Sequence, residues 1–422
     1  MRFEAVKRVT VFLELEEGVR LRVGRLARLE RELLFEYDAS FLGRRFELSP
    51  LKLPLRTGVF TGDPTKFNGL MGVFDDSLPD GWGRLLIDRR ALKAGIAREA
   101  LGPLDRLLLV GHRAMGALVY EPQVELEAPT VVELPRLEAD AQAVLRGATP
   151  DDLDQLVALG GSPQGARPKV LVQLGDDDTV VYGDDRARPG CEAWMVKLRA
   201  PGDDPHAGTL EHAYLRLAAA AGLNVSPSKM LARTRRHPGY FAVKRFDREG
   251  AKKLHLHTLA GLLAAPPAVT QLGYRDLLLA TRELTRNEAD VSEMFRRACF
   301  NVLAHNRDDH SRNFAFLMDA RGAWRASPAY DLTFSQGPGG EHTLLVDTEG
   351  KNPGREHLER LAATAGIKRA ARIIDEVRAG ISTFPRVADD AGVPKKLAAH
   401  VTRALGIARA TPRARRPRRS AR

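Results

Sequence analysis

The stretch that most narrows what this chain can fold into runs from Cys299 to Leu332, CFNVLAHNRDDHSRNFAFLMDARGAWRASPAYDL. It carries a carboxylate at Asp308, an amide at Asn313 five positions later, and a second carboxylate at Asp331. Between the last two, Phe314 to Met318 is apolar, Asp319 to Gly322 is a turn cluster, and Ala323 to Ser327 is a return run closed by Pro328. That pattern predicts a β-hairpin, which brings Asp331 back near the edge where Asn313 began. Gathered this way, the three side chains are the parts of a phosphoryl-transfer site. One Asp accepts the proton of an attacking hydroxyl, while the Asn and the second Asp hold Mg²⁺ against the phosphates.

Taken singly, each part has a quieter explanation. Asp309 and His310 make a solvated loop pair, Asn313 a strand-start cap, and Asp331 a turn residue or helix cap. A metal-hydrolase reading of His305, Asp308, Asp309 and His310 also stays open, because imidazole and carboxylate are the usual ligands of catalytic Zn²⁺ or Mn²⁺. No further His pair at metal spacing accompanies them.

At 422 residues the chain is too long for one core. No apolar run is long enough to span a bilayer and MRFEAVKRVT has no signal-peptide core, so a cytoplasmic location without membrane contact is expected. Cys191 and Cys299 lack a CxxC partner and read as reduced, structural thiols. The net charge of +11 resembles a nucleic-acid signal until it is located. Seven arginines and no acid lie between Arg409 and Arg422, so the basic character is mostly a property of the tail. The tail has no apolar positions to bury and is expected to be disordered, with DNA or RNA contact as its functional reading.

Up to residue 123, short apolar runs alternate with Gly, Pro and Asp clusters, as in the two strands expected about Gly18. Asp75, Asp76 and Asp80 lack the alternating ligand loop of a Ca²⁺ site, and turn and helix-cap chemistry accounts for them equally well. Residues 124–150 read as a linker with a leading helix. In LVALGGSPQGARPKVLVQL a helix ends at Gly160, a small-residue loop follows, and Lys169 opens a strand; such a loop brings backbone N–H groups to phosphate, although a plain helix C-cap looks the same. AWMVKL is a strand with one charge, Lys197, and the next helix is expected over Thr209 to Ala221, with Thr209 as cap and Glu211 in its first turn. Glu211 is the best candidate partner for Lys197, while the helix macrodipole explains it equally. From Leu254 on, HLHTLAGLLAA included, the pattern reads as helical, and His255 and His257 read as cap or surface residues. A strand-rich half holding a Gly loop and a Lys, followed by a helical half holding Asp, Asn and Asp, predicts an α+β, two-lobed protein-kinase-like fold. The divisions expected are 1–123, 124–150, a nucleotide-binding lobe at 151–250, a helical catalytic lobe at 251–408, and the tail at 409–422.

The chain carries the motifs FEYDASFL, LSPLKLPL, LPDGWGRLL and LLLVGHRAMGAL, then GSPQGARPKVLV, AWMVKL, EHAYLRLAAAAGL, VKRFDR, FNVLAHNRDDHSRNFAF and SPAYDL, of which the last five in combination are highly specific. In these the chain resembles, over nearly all of its length to about residue 400, the HipA family of serine/threonine kinases, toxins of bacterial type II toxin–antitoxin pairs. The resemblance implies an ATP- and Mg²⁺-dependent kinase. It also implies a translation protein, such as an aminoacyl-tRNA synthetase, as substrate, and a DNA-binding antitoxin of HipB type as partner. By the same resemblance Asp308 is the catalytic Asp, Asn313 and Asp331 are Mg²⁺ ligands, and Lys197 is the ATP-binding Lys. The Ser162 to Lys169 loop, with Gly165 and Ala166, contacts ATP and begins with the autophosphorylated Ser162. Lys244, Arg245 and Phe246 form the interlobe strand, and His310 joins the ATP contacts together with Asn313 and Asp331. The sequence departs from the family pattern in Lys244, where an acid often stands, and in its Arg-rich tail. Two other readings remain: a regulatory binding protein acting with an antitoxin on operator DNA, and a small-molecule kinase on the same fold.

Overall fold

The computed structural model describes residues 4–44, 46–124, 133–182, 186–235, 237–267 and 270–407. The expected tail at 409–422 therefore lies outside the described residues, as does 125–132 of the expected linker.

The first alternating runs form an antiparallel meander of strands Arg8–Glu16, Val19–Leu29, Glu32–Tyr37 and Val59–Thr61, and Leu118–Glu121 returns to pair with the first. Gly18, at φ 78°, makes the first turn at no steric cost. Period-two alternation buries Val9, Val11 and Leu13 with Phe35, Phe41 and Phe74 on one face.

A second, five-stranded antiparallel sheet runs in the order Val180–Tyr182, Lys169–Gly175, Cys191–Lys197, Tyr240–Lys244, Ser228–Leu231. Alternation decides its two faces. Val170, Val172, Trp194, Val196 and Ala242 face a core closed by the helices Leu134–Leu145, Leu153–Gly160 and Gly81–Lys93, the last supplying Trp82 and Leu86. Lys169, Met195, Lys197, Phe241 and Val243 take the opposite face. Register sets Lys169 directly across from Lys197, and Phe241 across from Lys197 on its other side.

The remaining core is helical. Tyr274–Thr285, Glu288–Leu303, Arg355–Thr364, Ala370–Ile381, Phe384–Ala391 and Lys395–Ala404 pack around residues such as Met294, Phe295, Ile374 and Phe384. Helix Ala207–Ala220, which follows the Lys197 strand, buries Tyr214 and Leu217 in this core, and the Tyr214 hydroxyl donates to the Ala304 carbonyl at 2.9 Å. The hairpin expected before Asp331 is present as Ala315–Met318 and Trp324–Ala326.

The expectation for HLHTLAGLLAA is corrected. His255–Thr258 is a third strand on that hairpin, and only Leu259–Leu262 is helical. Nor are His255 and His257 surface residues. Both are buried: His255 Nε2 bonds the Leu48 carbonyl at 3.0 Å, and His257 lies between Asp76 Oδ2 at 2.6 Å and Ser49 Oγ at 2.9 Å. Burial, with His257 nearby, pushes the His255 pKa down to about 4. The Ser–His–Asp line so formed has no exposed member, and it fastens the N-terminal module to the helical lobe.

Candidate active site

The cleft-facing side of the second sheet meets the loop and hairpin of the helical lobe. Lys169, Met195, Lys197, Phe241 and Val243 form one wall, and His310, Arg312, Asn313, Tyr330 and Asp331 the other. Phe246 and Tyr330 close one end with ring centroids 5.3 Å apart.

Lys197 Nζ is the centre of the charge network. It donates to Glu211 Oε1 at 2.5 Å and to Asp331 Oδ1 at 2.6 Å. Burial opposes the charge on Lys197, but the two carboxylates more than offset it and raise its pKa. Burial likewise works against Asp331, yet Lys197 and Lys169 hold its carboxyl well below the usual range. Glu211 is pushed up by burial, with Lys197 compensating only in part. Lys169 is pushed down by burial and by Lys197 opposite it. The helix-dipole explanation of Glu211 therefore fails. Lys197 points into the interior, and the helix begins at Ala207 after His206, so Glu211 lies beyond the first turn where the macrodipole acts. Thr209 is a buried residue within the helix rather than its cap.

Asp331 adopts φ 55°, a left-handed conformation that costs a non-glycine residue about 1 kcal/mol or more. The ion pair with Lys197 helps to hold it there, leaving Oδ2 for another ligand. Asn313 Nδ2 donates to the Asp308 carbonyl at 2.7 Å, which leaves Oδ1 as an acceptor. Asp308 itself is outside the cleft wall, its side chain 55% exposed, with His310 Nε2 at 3.9 Å from Oδ1. Asn313 and Asp331 line the cleft, whereas Asp308 lies outside it and is open to solvent.

Asp309 is not part of a solvated pair. It is fully buried and accepts from the Tyr274 hydroxyl at 2.6 Å, His342 Nδ1 at 2.8 Å and the Thr343 N–H at 2.7 Å. The metal-hydrolase set loses that ligand, and His305 stacks on Phe334 instead. Among the described residues no group of three or more His, Cys, Asp or Glu side chains is placed to hold a metal.

Of the expected loop contacts, Gly165 and Lys169 line the cleft together with Gln164, whereas Ser162 and Ala166 do not. Ser162 is buried and its Oγ has no hydrogen-bond partner, which fits a loop lying closed. Lys244, Arg245 and Phe246 all line the cleft. Lys244 pairs with Glu192, and the Arg245 guanidinium is committed to Asp247 at 3.0 and 2.8 Å. The N–H groups of Lys244 and Arg245 already donate to the Pro227 and Ala193 carbonyls at 2.9 Å. Any backbone N–H donation to a ligand from this segment therefore falls to Phe246.

The sequence reading missed the contribution of the N-terminal module. Asp76, Asp80 and Met115 line the cleft, and Asp75 Oδ2 accepts from Arg312 Nη2 at 2.6 Å. Asp80 stands at the cap position of helix Gly81–Lys93 but makes no side-chain bond to it, so helix-cap chemistry does not account for it. The three acids were visible as a cluster, but nothing local says which distant loop they meet.

A strand-rich lobe presenting a salt-bridged Lys over a cleft, with an Asp–Asn–Asp set from a helical lobe beneath it, is a two-lobed protein-kinase-like fold. The family model for the HipA-like C-terminal domain matches residues 161–383 and that for the HipA N-terminal domain matches 19–121; the chain belongs to the HipA family. A proposed kinase, Y4mE, of Sinorhizobium fredii is 31% identical over 280 residues, covering 61% of this chain and 63% of that protein. A proposed kinase of Haemophilus influenzae is 27% identical over 146 residues, covering 32% of this chain and 43% of that protein. The chain thus spans less than two thirds of the length of these relatives. The solved HipA of Shewanella oneidensis MR-1, in complex with HipB and operator DNA, shares the fold. Its TM-score is 0.67 at 17% identity, over 94% of this chain and 96% of that one. No helix of the described residues is long and apolar enough to cross a membrane.

Proposed function

We propose that the protein is an ATP- and Mg²⁺-dependent protein serine/threonine kinase. The observation that carries this reading is Lys197 bridging Glu211 and Asp331 across the cleft, with Asn313 on the same wall as Asp331 and Asp308 just outside it, its carbonyl bonded by the Asn313 amide. That constellation is the one phosphoryl transfer needs, a fixed cation for the phosphates and a carboxylate for the acceptor hydroxyl. Asn313 Oδ1 and the second Asp331 oxygen suit Mg²⁺, a hard cation that takes one or two protein oxygens and completes its shell with water and substrate phosphate. When bound there, Mg²⁺ would neutralise charge on the phosphates. Lys197 and Lys169 position the triphosphate, and Asp308 takes the proton as the acceptor oxygen bonds to the γ-phosphorus and ADP leaves.

The acceptor is a protein Ser or Thr, with a translation protein such as an aminoacyl-tRNA synthetase favoured by the family resemblance, and Ser162 is modified in the same reaction. The exposure of Asp308 supports a macromolecular acceptor over a small one enclosed in the cleft. The Shewanella complex supports a HipB-type antitoxin on operator DNA as partner, and hence a toxin's role. Radiolabelled ATP and Mg²⁺ with the purified protein test the chemistry. Asp308→Ala should lower transfer by about 10²- to 10⁴-fold, with ATP affinity retained; unchanged turnover would remove Asp308 from the reaction.

A further inference from the structure

One short segment of the N-terminal module, from Asp76 to Trp82, holds the glycine loop. The Gly165 N–H donates to the Asp80 carboxylate. Gln164 Nε2 donates to the carbonyls of Asp76 and Leu78, both at 3.2 Å. The Trp82 N–H donates back to the Gly165 carbonyl at 3.1 Å. On the other side, Lys169 Nζ donates to the Gln164 carbonyl at 2.6 Å. Contact is close enough that a Cβ on Gly81 would lie 2.5 Å from Ala166 Cα.

The Gly165 N–H and the Lys169 ammonium are donors that a kinase of this form turns toward nucleotide phosphates. Both are already in use, and the partner of the first is an anion. A carboxylate oxygen on a loop N–H is chemically a stand-in for a phosphate oxygen. Asp80 lines the cleft, so a phosphate entering beside it meets a like charge.

We propose that Asp80 is an intramolecular latch: its carboxylate occupies the phosphate-binding donor of the glycine loop, and nucleotide must displace it to bind. The latch rests on the kinase reading above. Through this one charge the N-terminal module sets the nucleotide affinity of a site built mostly by the other two lobes.

The test uses the full chain and Asp80→Asn, which keeps the shape and removes the charge. Amide hydrogen exchange without nucleotide reports the loop, and titration calorimetry with Mg²⁺–ATP reports the affinity. Faster exchange at residues 164–166 and roughly tenfold tighter nucleotide binding are expected, the difference between a charge-assisted and a neutral hydrogen bond. Asp80→Ser, smaller and neutral, carries the same expectation should the amide of the first variant crowd the loop and unfold it. Wild-type nucleotide binding with equal or weaker binding in the folded variant overturns the latch and leaves the kinase reading intact. Nucleotide binding by none of the proteins overturns the kinase reading, and the latch with it.

Discussion

Replacing Glu211 by Gln tests the charge network at its least exposed point. The side chains of Glu211 and Lys197 are 8% and 13% exposed, so their 2.5 Å contact is little screened. The substitution keeps the shape and removes one of the two charges that share Lys197. Asp331 remains at 2.6 Å, so the cation is not orphaned, and the loss falls short of the about 3–5 kcal/mol of a broken buried pair. It approaches the worth of one charge-assisted hydrogen bond, about 1.5–3 kcal/mol. Burial already pushes Glu211 toward its neutral form, which favours the lower end. If the same energy is lost in the transition state, kcat/KM falls about 10- to 150-fold. Most of it should appear in KM for Mg²⁺–ATP, because Lys197 then leans wholly on Asp331. Steady-state kinetics on Glu211→Gln, Lys197→Met and the double variant measure this. In the Lys197→Met background the Glu211 change should add little. Full additivity, or a Glu211→Gln enzyme with wild-type kinetics, would refute the argument that Glu211 acts through Lys197.

Asp331→Asn tolerates the left-handed backbone and removes the charge, so its activity should fall and recover in part at raised Mg²⁺, whereas Asp308→Ala should show no such recovery in the same titration. Asp247 is fully buried; burial pushes its pKa up, but Arg245 and Arg248 and the Gly116 N–H more than offset this and hold it down to about 2. A free Asp titrates at about 3.9, so the stability it lends is complete above that value and is lost as pH falls through the folded value. Urea denaturation should therefore find Asp247→Asn less stable by about 3–5 kcal/mol at neutral pH, with the gap narrowing near pH 3. Incubation with ATP followed by mass spectrometry should place a phosphate on Ser162 in the wild type and not in Asp308→Ala. Such a phosphate adds roughly −1.5 to −2 charges where Ser162 is now buried, so the loop must stay out and ATP should bind much more weakly.

What the sequence determined by itself was local. Alternation in AWMVKL and YFAVKRF was enough to define strands, and the strand–turn–strand pattern of 314–327 returned Asp331 to the neighbourhood of Asn313. Period and turn chemistry act over a few residues, so these elements agree with the structure, and the hairpin carries Asn313 and Asp331 to the same cleft. The helical reading of HLHT failed because four residues beside an apolar run carry no decisive period; pairing with Ala315–Met318 chose the strand. Tertiary structure alone decided that Glu211 meets Lys197, that Asp309 is buried under Tyr274, His342 and Thr343, and that Asp75, Asp76 and Asp80 reach residues as distant in sequence as Arg312. A carboxylate in a sequence looks the same whether water or a buried donor will satisfy it. Which one does depends on surfaces brought together by packing across the whole chain, and the cost of burying that charge unpaired then fixes its partner.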